Sequence, residues 1–239
     1  MNTVLFDLDG TLLPMDQDTY VRQYIRLLAG HFASLGYDAK RVTDGLLQAT
    51  LASMKNETEQ TNEEVFWSAF GQAAYPDLRE HELDLYRFYA EKHPTLCTAV
   101  APGRNSRRPV DILREKGYRL VLATNPLFPR MATYQRMSWA ELAPSDFVCV
   151  TTFDNSRRCK PNPAYFTELT EQLGLVPADC LMVGNDIRDD MEAATAAGLD
   201  TWLITDYLID RKGEGPDVWH HGTFEEFVQY AEALPPCES

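Results

Sequence analysis

Apolar residues recur at one spacing in the first third of the chain and at another in the rest. Between residues 18 and 93 they recur every three or four positions, as in the series Tyr20, Tyr24, Leu27, Leu28, His31 and Leu35. This is the period of an amphipathic helix. Thr61 followed by Glu64 is a capping-box signature, and Pro76 precedes another helical pattern. The pattern predicts about four helices and no strand in this stretch.

From Ala101 onward, short apolar segments of strand length alternate with helical patterns. The predicted strands are 118–123, 147–151, 181–183 and 201–204, and the predicted helices lie near 106–116, 129–138, 163–173, 189–197 and 223–233. Such alternation implies right-handed crossovers and a parallel sheet with both faces covered. A first strand, Thr3–Phe6, precedes the helical stretch and is expected in the same sheet.

The order of these elements predicts two domains. We expect an α/β core with a doubly wound parallel sheet, formed by residues 1–14 and 97–239. Residues 15–96 are expected to form a mostly helical domain inserted after the first strand. The helices of such an insertion must bury their apolar faces against one another or against the core.

Composition favours a soluble globular protein. Of the 239 residues, 44% are hydrophobic and 24% are charged, which is too apolar for a disordered chain. No apolar run approaches the roughly 20 residues that a membrane helix needs. The first residues contain no basic region, and their apolar stretch is too short for a secretory signal. We therefore expect a cytoplasmic protein without a membrane partner.

Charge and cysteine usage narrow the function further. The chain has 36 acidic and 22 basic residues, a formal net charge of −14, which would repel a polyanion and argues against a nucleic-acid partner. Its five cysteines are odd in number and lack paired CxxC spacing. We interpret them as reduced thiols and not as a disulfide framework or a zinc site.

Polar and charged residues follow four of the predicted strands. They form the segments Asp7-Leu8-Asp9-Gly10-Thr11, Thr124-Asn125, Cys159-Lys160-Pro161, and Gly184-Asn185-Asp186 with Asp190 four residues later. Each alone has an ordinary structural explanation, such as a helix cap, a solvated turn or a charged helix start. In an open α/β sheet, however, ligands bind beyond the carboxyl ends of the strands. Four such segments at one edge of one sheet therefore indicate a site.

The spacing of Asp7 and Asp9 indicates the chemistry. Residues i and i+2 of an extended backbone project to the same side, so both carboxylates can face one small volume. Two crowded carboxylates need a cation, and oxygen ligands favour a hard metal ion such as Mg²⁺. The sequence thus predicts a magnesium site next to the first strand.

The four segments, in this order, resemble the four motifs of the haloacid dehalogenase superfamily. The resemblance covers the whole chain and implies a Rossmann-like core with a helical cap between the first and second motifs. The last motif departs slightly, since it contains Gly-Asn-Asp where Gly-Asp is commoner. We align the metal ligand of the family with Asp186, because Asp190 then follows four residues later. Alignment with Asn185 is the alternative.

The resemblance implies a role for each motif residue. Asp7 would be the nucleophile that forms an aspartyl-phosphate, and Asp9 the general acid and base. Thr124, Asn125 and Lys160 would bind the phosphoryl group, and Lys160 would neutralise its charge. Mg²⁺ would be held by Asp7, the carbonyl of Asp9 and Asp186. Asp190 would orient Lys160 or support the metal, and Gly10 would serve the backbone beside the site.

The implied function is Mg²⁺-dependent hydrolysis of a small phosphorylated metabolite. A sugar phosphomutase would share every motif and is the alternative, followed by a dehalogenase or another hydrolase of the superfamily. Asp9 favours phosphoryl transfer, because dehalogenation at carbon needs neither this acid nor the metal. A non-catalytic binding protein on the same scaffold is disfavoured by the intact set of motif residues.

A few charged residues outside the motifs are weaker candidates. Arg130, Arg157 and Arg158 lie close enough in sequence to the motifs to reach a substrate anion. Solvated loop charges are the favoured interpretation of all three. His220 and His221 have no second cluster at metal-ligand spacing, and we expect them at the surface.

Overall fold

The computed structural model describes residues 1–237, apart from the side chain of His81, and contains a central sheet of six parallel strands. The strands are β1 (Thr3–Phe6), β2 (Arg119–Leu122), β3 (Cys149–Val150), β4 (Cys180–Gly184), β5 (Asp200–Ile204) and β6 (His221–Gly222), in the order β3-β2-β1-β4-β5-β6. All five predicted strands are confirmed. The sequence does not predict β6, because its two residues, His221 and Gly222, form no apolar run.

The helices lie close to the predicted positions. In the described part of the chain the α-helices are α1 (Gln17–Ser34), α2 (Ala39–Met54), α3 (Asn62–Ala73), α4 (Glu82–Glu91), α5 (Arg107–Glu115), α6 (Arg130–Trp139), α7 (Ala164–Leu173), α8 (Ala193–Ala196) and α9 (Phe224–Ala233). Short 3₁₀ helices cover Leu78–His81, His93–Ala99, Pro144–Asp146 and Pro177–Asp179, and a π-helical turn, Ile187–Glu192, leads into α8. Within residues 1–237, no helix combines the length and the apolarity needed to cross a lipid bilayer.

Helices cover both faces of the sheet. On β1, Val4 and Phe6 belong to a cluster that includes residues of α5 and α9, whereas Leu5 belongs to a second cluster with residues of α7 and α8. Leu5 is in register with Val121 of β2 and Met182 of β4, which point to the same face. All four residues of β1 are fully buried, as expected for a central parallel strand. The doubly wound α/β fold is therefore confirmed.

Helices α1 to α4 come between β1 and β2 in the chain, and the segments that enter and leave this region lie side by side. Met15 and Val100 form an antiparallel bridge, and the amide of Ala101 donates a hydrogen bond to the carbonyl oxygen of Pro14 at 2.7 Å. The capping box at α3 is present as predicted, with Thr61 as the N-cap. Apolar residues of these helices share one continuous cluster with one face of the sheet, so the insertion is packed onto the core.

Candidate active site

Asp7 and Asp9 follow β1 and are buried at the carboxyl edge of the sheet. The amide of Asp7 continues the ladder by donating to the carbonyl oxygen of Val183 at 2.9 Å. Gly10 then turns the chain with a positive φ of 85°. A Cβ at this position would also lie 2.3 Å from Nδ2 of Asn185. Only glycine fits this turn, which positions both carboxylates at the end of the central strand.

Lys160 lies between two carboxylates. Its Nζ donates to Oδ1 of Asp7 at 2.8 Å and to Oδ1 of Asp190 at 2.6 Å, and its side chain is 2% exposed. Burial raises the pKa of Asp7 and raises that of Asp190 to about 7, against the opposing effect of Lys160. Burial lowers the pKa of Lys160, but the two carboxylates outweigh it and hold the pKa above its ordinary value. Lys160 thus provides a permanent positive charge next to Asp7.

The loop after β4 fixes the position of Asp190. Its Oδ2 accepts hydrogen bonds from the amides of Asn185 at 3.1 Å and Asp186 at 3.0 Å. A Cβ on Gly184 would lie 2.2 Å from the same oxygen, so this approach requires glycine. Asp190 therefore joins the fourth motif to Lys160 of the third.

Asp9 is ion-paired with Arg136, which the sequence analysis does not identify. Arg136 lies on α6, is fully buried, and contacts Oδ2 of Asp9. Its guanidinium also lies over the rings of Phe128, 4.4 Å from the centroid, and Tyr20 at 5.7 Å. Burial raises the pKa of Asp9, and Arg136 opposes that effect. Oδ1 of Asp9 is buried and has no hydrogen-bond partner among the described residues.

The second motif lies beside Lys160. Thr124 is buried, and its carbonyl oxygen accepts hydrogen bonds from the hydroxyls of Thr151 at 2.6 Å and Tyr165 at 3.1 Å. Nδ2 of Asn125 donates to the carbonyl oxygen of Lys160 at 3.2 Å. Oδ1 of Asn125 is buried and has no partner in the described part of the chain. Asn125 thus holds the backbone of Lys160 through Nδ2, and its Oδ1 is available to a bound group.

The carboxylate of Asp186 has a main-chain role and a cationic partner. Its Oδ1 accepts hydrogen bonds from the amides of Arg188 and Asp189, both at 3.0 Å, and so caps the π-helical turn. Its Oδ2 is 2.6 Å from Nη1 of Arg211, a half-exposed side chain that the sequence analysis does not identify. Burial, with a contribution from Asp186, raises the pKa of Asp189 to about 6. Oδ2 of Asp186 therefore faces a position that favours a positive charge.

One cavity of about 130 Å³ collects the residues predicted from the four motifs. Asp7, Asp9, Thr124, Asn125, Lys160, Asn185, Asp186 and Asp190 all line it. The insertion contributes Gln17, Tyr20 and Val21 of α1, and the loop after β2 contributes Leu127 and Phe128. The cavity is therefore acidic on the core side and partly apolar on the side of the insertion.

The three arginines proposed as weaker candidates do not line this cavity. Arg130 is ion-paired with Asp154 at 2.5 Å. Arg157 and Arg158 both contact Glu168, at 3.5 Å and 3.4 Å, and Arg158 also donates to the carbonyl oxygen of residue 58 at 2.7 Å. All three are ion-paired and the side chain of Arg158 is only 13% exposed, so they differ from the solvated loop charges that the sequence analysis favours. His220 and His221 are exposed, and the ring of His220 packs against Trp202.

The donors in the cavity fit a magnesium ion. Among the described residues, no three His, Cys, Asp or Glu side chains form a cluster that would hold a metal by themselves. Mg²⁺ does not need one, because it keeps several waters and uses one or two carboxylates together with substrate phosphate oxygens. The carboxylates of Asp7 and Asp186 line the cavity, and the carbonyl oxygen of Asp9 accepts a hydrogen bond from Nε2 of Gln17 at 3.1 Å. All three are the hard oxygen donors that such an ion prefers.

The chain is similar in sequence to proteins that are named as a pyrophosphatase and as a phosphoglycolate phosphatase. The pyrophosphatase PpaX of Anoxybacillus flavithermus is 27% identical over 208 residues, which cover 85% of each chain. A phosphoglycolate phosphatase of Xylella fastidiosa is 25% identical over 94% of this chain and 88% of its own.

The solved structures that match share the fold. The structure of a HAD phosphatase from Thermococcus onnurineus superposes with a TM-score of 0.61 at 21% identity, over 99% of this chain and all of the other. A putative beta-phosphoglucomutase from Thermotoga maritima gives a TM-score of 0.56 at 21% identity, over 98% and 100%. Residues 1–198 match the family model of the haloacid dehalogenase-like hydrolases. The chain belongs to this family, and it is a hydrolase of the haloacid dehalogenase type.

Proposed function

We propose that this hydrolase is a Mg²⁺-dependent phosphatase that cleaves a small phosphomonoester through an aspartyl-phosphate on Asp7. The observation that carries the proposal is the position of Lys160, with Nζ 2.8 Å from Asp7, in the cavity that also contains Asp9 and Thr124. A nucleophile, an acid and a permanent cation thus face the same small volume. This is the arrangement that transfer of a phosphoryl dianion to a carboxylate requires.

In the first half-reaction, a carboxylate oxygen of Asp7 forms a bond to phosphorus while the bond to the ester oxygen breaks. Asp9 gives its proton to the departing alkoxide, for which its raised pKa is suited. In the second half-reaction, Asp9 accepts a proton from water as the water attacks the aspartyl-phosphate. Inorganic phosphate leaves, and Asp7 and Asp9 return to their initial states.

Positive charge is indispensable at this site. A carboxylate about 4 Å from one phosphate charge is repelled by roughly 4 kcal/mol at an effective dielectric constant near 20, and a dianion doubles this. Lys160 supplies one compensating charge, and Asn125 keeps its backbone in place. A Mg²⁺ ion held by Asp7, the carbonyl oxygen of Asp9 and Asp186 would neutralise the phosphoryl oxygens further.

The contacts of Asn185 support Asp186 as the metal ligand. Oδ1 of Asn185 accepts from the hydroxyl of Thr11 at 3.0 Å, and its Nδ2 donates to the carbonyl oxygen of Tyr207 at 2.7 Å. Its side chain is therefore engaged in holding two loops together. We propose that Asp190 acts by positioning Lys160. Gly10 and Gly184 would allow the backbone to approach Asn185 and Asp190 closely.

We propose that residues 15–96 act as a cap over this site and that 1–14 and 97–239 form the catalytic core. The paired connections at Pro14 and Ala101 support these boundaries. A small cavity partly covered by α1 supports a small metabolite as substrate, and the net charge of −14 disfavours nucleic acid. The pyrophosphatase and phosphoglycolate phosphatase relatives, whose names denote small substrates, support this proposal. A cytoplasmic location is proposed from the cysteine pattern, which suits reduced thiols.

The test is release of inorganic phosphate from p-nitrophenyl phosphate and from a panel of phosphorylated metabolites, with Mg²⁺ and with EDTA. Activity is expected only with the metal, and Asp7→Asn should lower turnover by several orders of magnitude, because it removes the attacking charge. Asp44→Asn, on the exposed side of α2, is the control. If Asp7→Asn keeps more than about a tenth of the activity, the covalent mechanism is wrong. A phosphorylated isomer in place of free phosphate would identify a mutase.

A further inference from the structure

A second cavity lies between the helices of the insertion and loops of the core, next to the candidate active site. Its volume is about 130 Å³, and its lining is almost entirely apolar. Helices α1 and α2 contribute Leu28, Phe32 and Leu46, α3 contributes Phe70, and the loop after β3 contributes Phe153. A cavity of about 150 Å³ with such a lining stays dry and holds a benzene molecule. This one can therefore hold a single ring or a short alkyl chain.

The two cavities adjoin. Val21, Leu127 and Phe128 line both of them. The ring of Phe128 also lies under the guanidinium of Arg136, 4.4 Å from it, and Arg136 is ion-paired with Asp9. The side chains of Phe128 and Arg136 thus form a chain of contacts from the wall of the apolar cavity to the proposed general acid. The organic part of a leaving group protonated by Asp9 would lie beside this cavity.

The few polar side chains of the apolar cavity are already satisfied. The hydroxyls of Tyr24 and Tyr89 are hydrogen-bonded to each other at 2.8 Å. The hydroxyl of Thr50 donates to the carbonyl oxygen of Leu46 at 2.9 Å. Among the described residues of the lining there is no Lys, Arg or His. A sugar hydroxyl or a second carboxylate placed here would lose its bonds to water without replacement, which is costly.

We propose that this cavity binds the organic part of the substrate, and that the preferred substrates are monophosphate esters of apolar alcohols with a short alkyl chain or a single ring. The inference rests on the proposed phosphatase function and specifies its substrate class. The phosphate would occupy the acidic cavity next to Asp7 and Lys160, and the apolar group would pass Phe128 into the second cavity. Selectivity would come from burial of apolar surface.

A series of n-alkyl phosphates from methyl to hexyl tests this with the full chain and Mg²⁺. The leaving-group pKa is nearly constant along the series, so kcat/KM reports binding of the alkyl group. It should rise about fourfold for each buried methylene until the cavity is full. Glycerol phosphate and 2-phosphoglycolate, of similar size but polar, should react more slowly than propyl phosphate. Isothermal titration with methyl- and hexylphosphonate should show the same preference without turnover.

A matched pair of variants on α2 tests the location. Leu47 lines the apolar cavity, whereas Leu51, one turn later, is 53% exposed and does not. Leu47→Trp narrows the cavity and should flatten the dependence of kcat/KM on chain length, with a larger loss for hexyl phosphate than for methyl phosphate. Leu51→Trp should behave as the wild type. If the two variants behave alike, the cavity is not the binding site and the inference is wrong.

The outcomes separate the inference from the function on which it rests. If methyl phosphate is hydrolysed but kcat/KM is flat or falls with chain length, the inference is wrong and the phosphatase function stands. If the polar esters are the better substrates, the inference is likewise overturned. If no ester is hydrolysed, methyl phosphate included, the proposed function is wrong and the inference falls with it.

Discussion

The guanidinium of Arg136 is ion-paired with the carboxylate of Asp9, 127 residues earlier in the chain, and both side chains are buried. The pair occupies only Oδ2 of Asp9, whereas Oδ1 has no partner among the described residues. A buried ion pair requires compensation for the lost hydration of both charges, which the faces of Phe128 and Tyr20 provide in part for the guanidinium. Arg136 therefore holds the proposed acid by one oxygen and leaves the other oxygen for the reaction.

Replacing Arg136 by Met should shift the pH profile. Without the guanidinium, the pKa of Asp9 rises further, because the strongest effect opposing burial is gone and only the weaker one of Lys160 remains. Only protonated Asp9 can protonate a poor leaving group, so the decline of kcat/KM at high pH should move to higher pH. The rate with ethyl phosphate should also fall, by less than the roughly 10²–10⁴-fold that complete loss of acid catalysis costs.

The check is the pH profile of kcat/KM with ethyl phosphate for the wild type, Arg136→Met and Arg136→Lys. The lysine variant retains the charge and should keep the profile closer to that of the wild type. An unshifted profile in the methionine variant would mean that Arg136 is only structural.

The main parts of the sheet and site could be predicted because their signals are local. Asp7, Thr124, Lys160 and Asp186 each follow an apolar strand, and parallel strands bring their carboxyl ends to one edge. The periods of the hydrophobic pattern identified the strands and the four helices of the insertion. These parts of the prediction depended on residues close together in the chain.

Other parts depend on contacts between distant segments. Arg136 lies on the buried face of α6 with Ala132 and Met137, where a cation has no local partner in the sequence. Only the fold brings Asp9 to it. Arg211 lies in an irregular loop, and no hydrophobic period indicates that it contacts Asp186. Side chains that are paired over long distances have no sequence pattern of their own.

Removing Lys160 should destabilise the metal-free protein in a pH-dependent way. Lys160→Met leaves Asp7 and Asp190 buried without their cation, and breaking a buried pair typically costs about 3–5 kcal/mol. Both carboxyls have raised pKa values in the folded state, so the folded protein binds their protons more tightly than the unfolded chain does. This proton binding stabilises the fold at low pH, and the stabilisation is lost as the pH rises through the folded pKa. The loss should therefore be larger at pH 8 than at pH 5.

Urea unfolding in EDTA at both pH values measures the effect. The double variant Lys160→Met with Asp190→Asn should recover part of the loss at pH 8, because one of the two unpaired charges is gone. An equal loss at both pH values would contradict the electrostatic explanation.

Gly184→Ala should impair activity by displacing Asp190. The added Cβ would lie 2.2 Å from Oδ2 of Asp190, a separation that forces one of the groups to move. Lys160 would then lose one of its two partners, so kcat should fall and the melting temperature should drop. Gly30→Ala is the matched control, since no atom lies within 4 Å of its Cβ position and it lies within α1. There alanine should stabilise by about 0.5–1 kcal/mol. If kcat is unchanged in Gly184→Ala, Asp190 does not act through Lys160.

Asn62 should control how firmly the proposed cap is held on the core. It is fully buried at the start of α3, and its Nδ2 lies 3.3 Å from the carbonyl oxygen of Pro126 and 3.3 Å from Sγ of Cys159. Its backbone amide donates to the carbonyl oxygen of Ser156 at 2.9 Å. Asn62→Leu leaves these acceptors buried without their side-chain donor, at a cost of about 1–3 kcal/mol. A looser cap should raise KM for small esters and expose the site to larger substrates.

Three measurements check this prediction: limited proteolysis at the connections near 14–18 and 94–101, KM for a small ester, and the rate with a phosphorylated segment of a folded protein. In the wild type a cap formed by residues 15–96 would leave little room at the site, so the folded phosphoprotein should be a poor substrate. The protease should cleave Asn62→Leu faster at the connections. This variant should also show a smaller difference in rate between the small ester and the phosphoprotein. Gln72 is exposed on the same helix, and Gln72→Leu should change neither the rate of proteolysis nor the substrate preference. A wild-type preference for the phosphoprotein would contradict the assignment of residues 15–96 as a cap that selects small molecules.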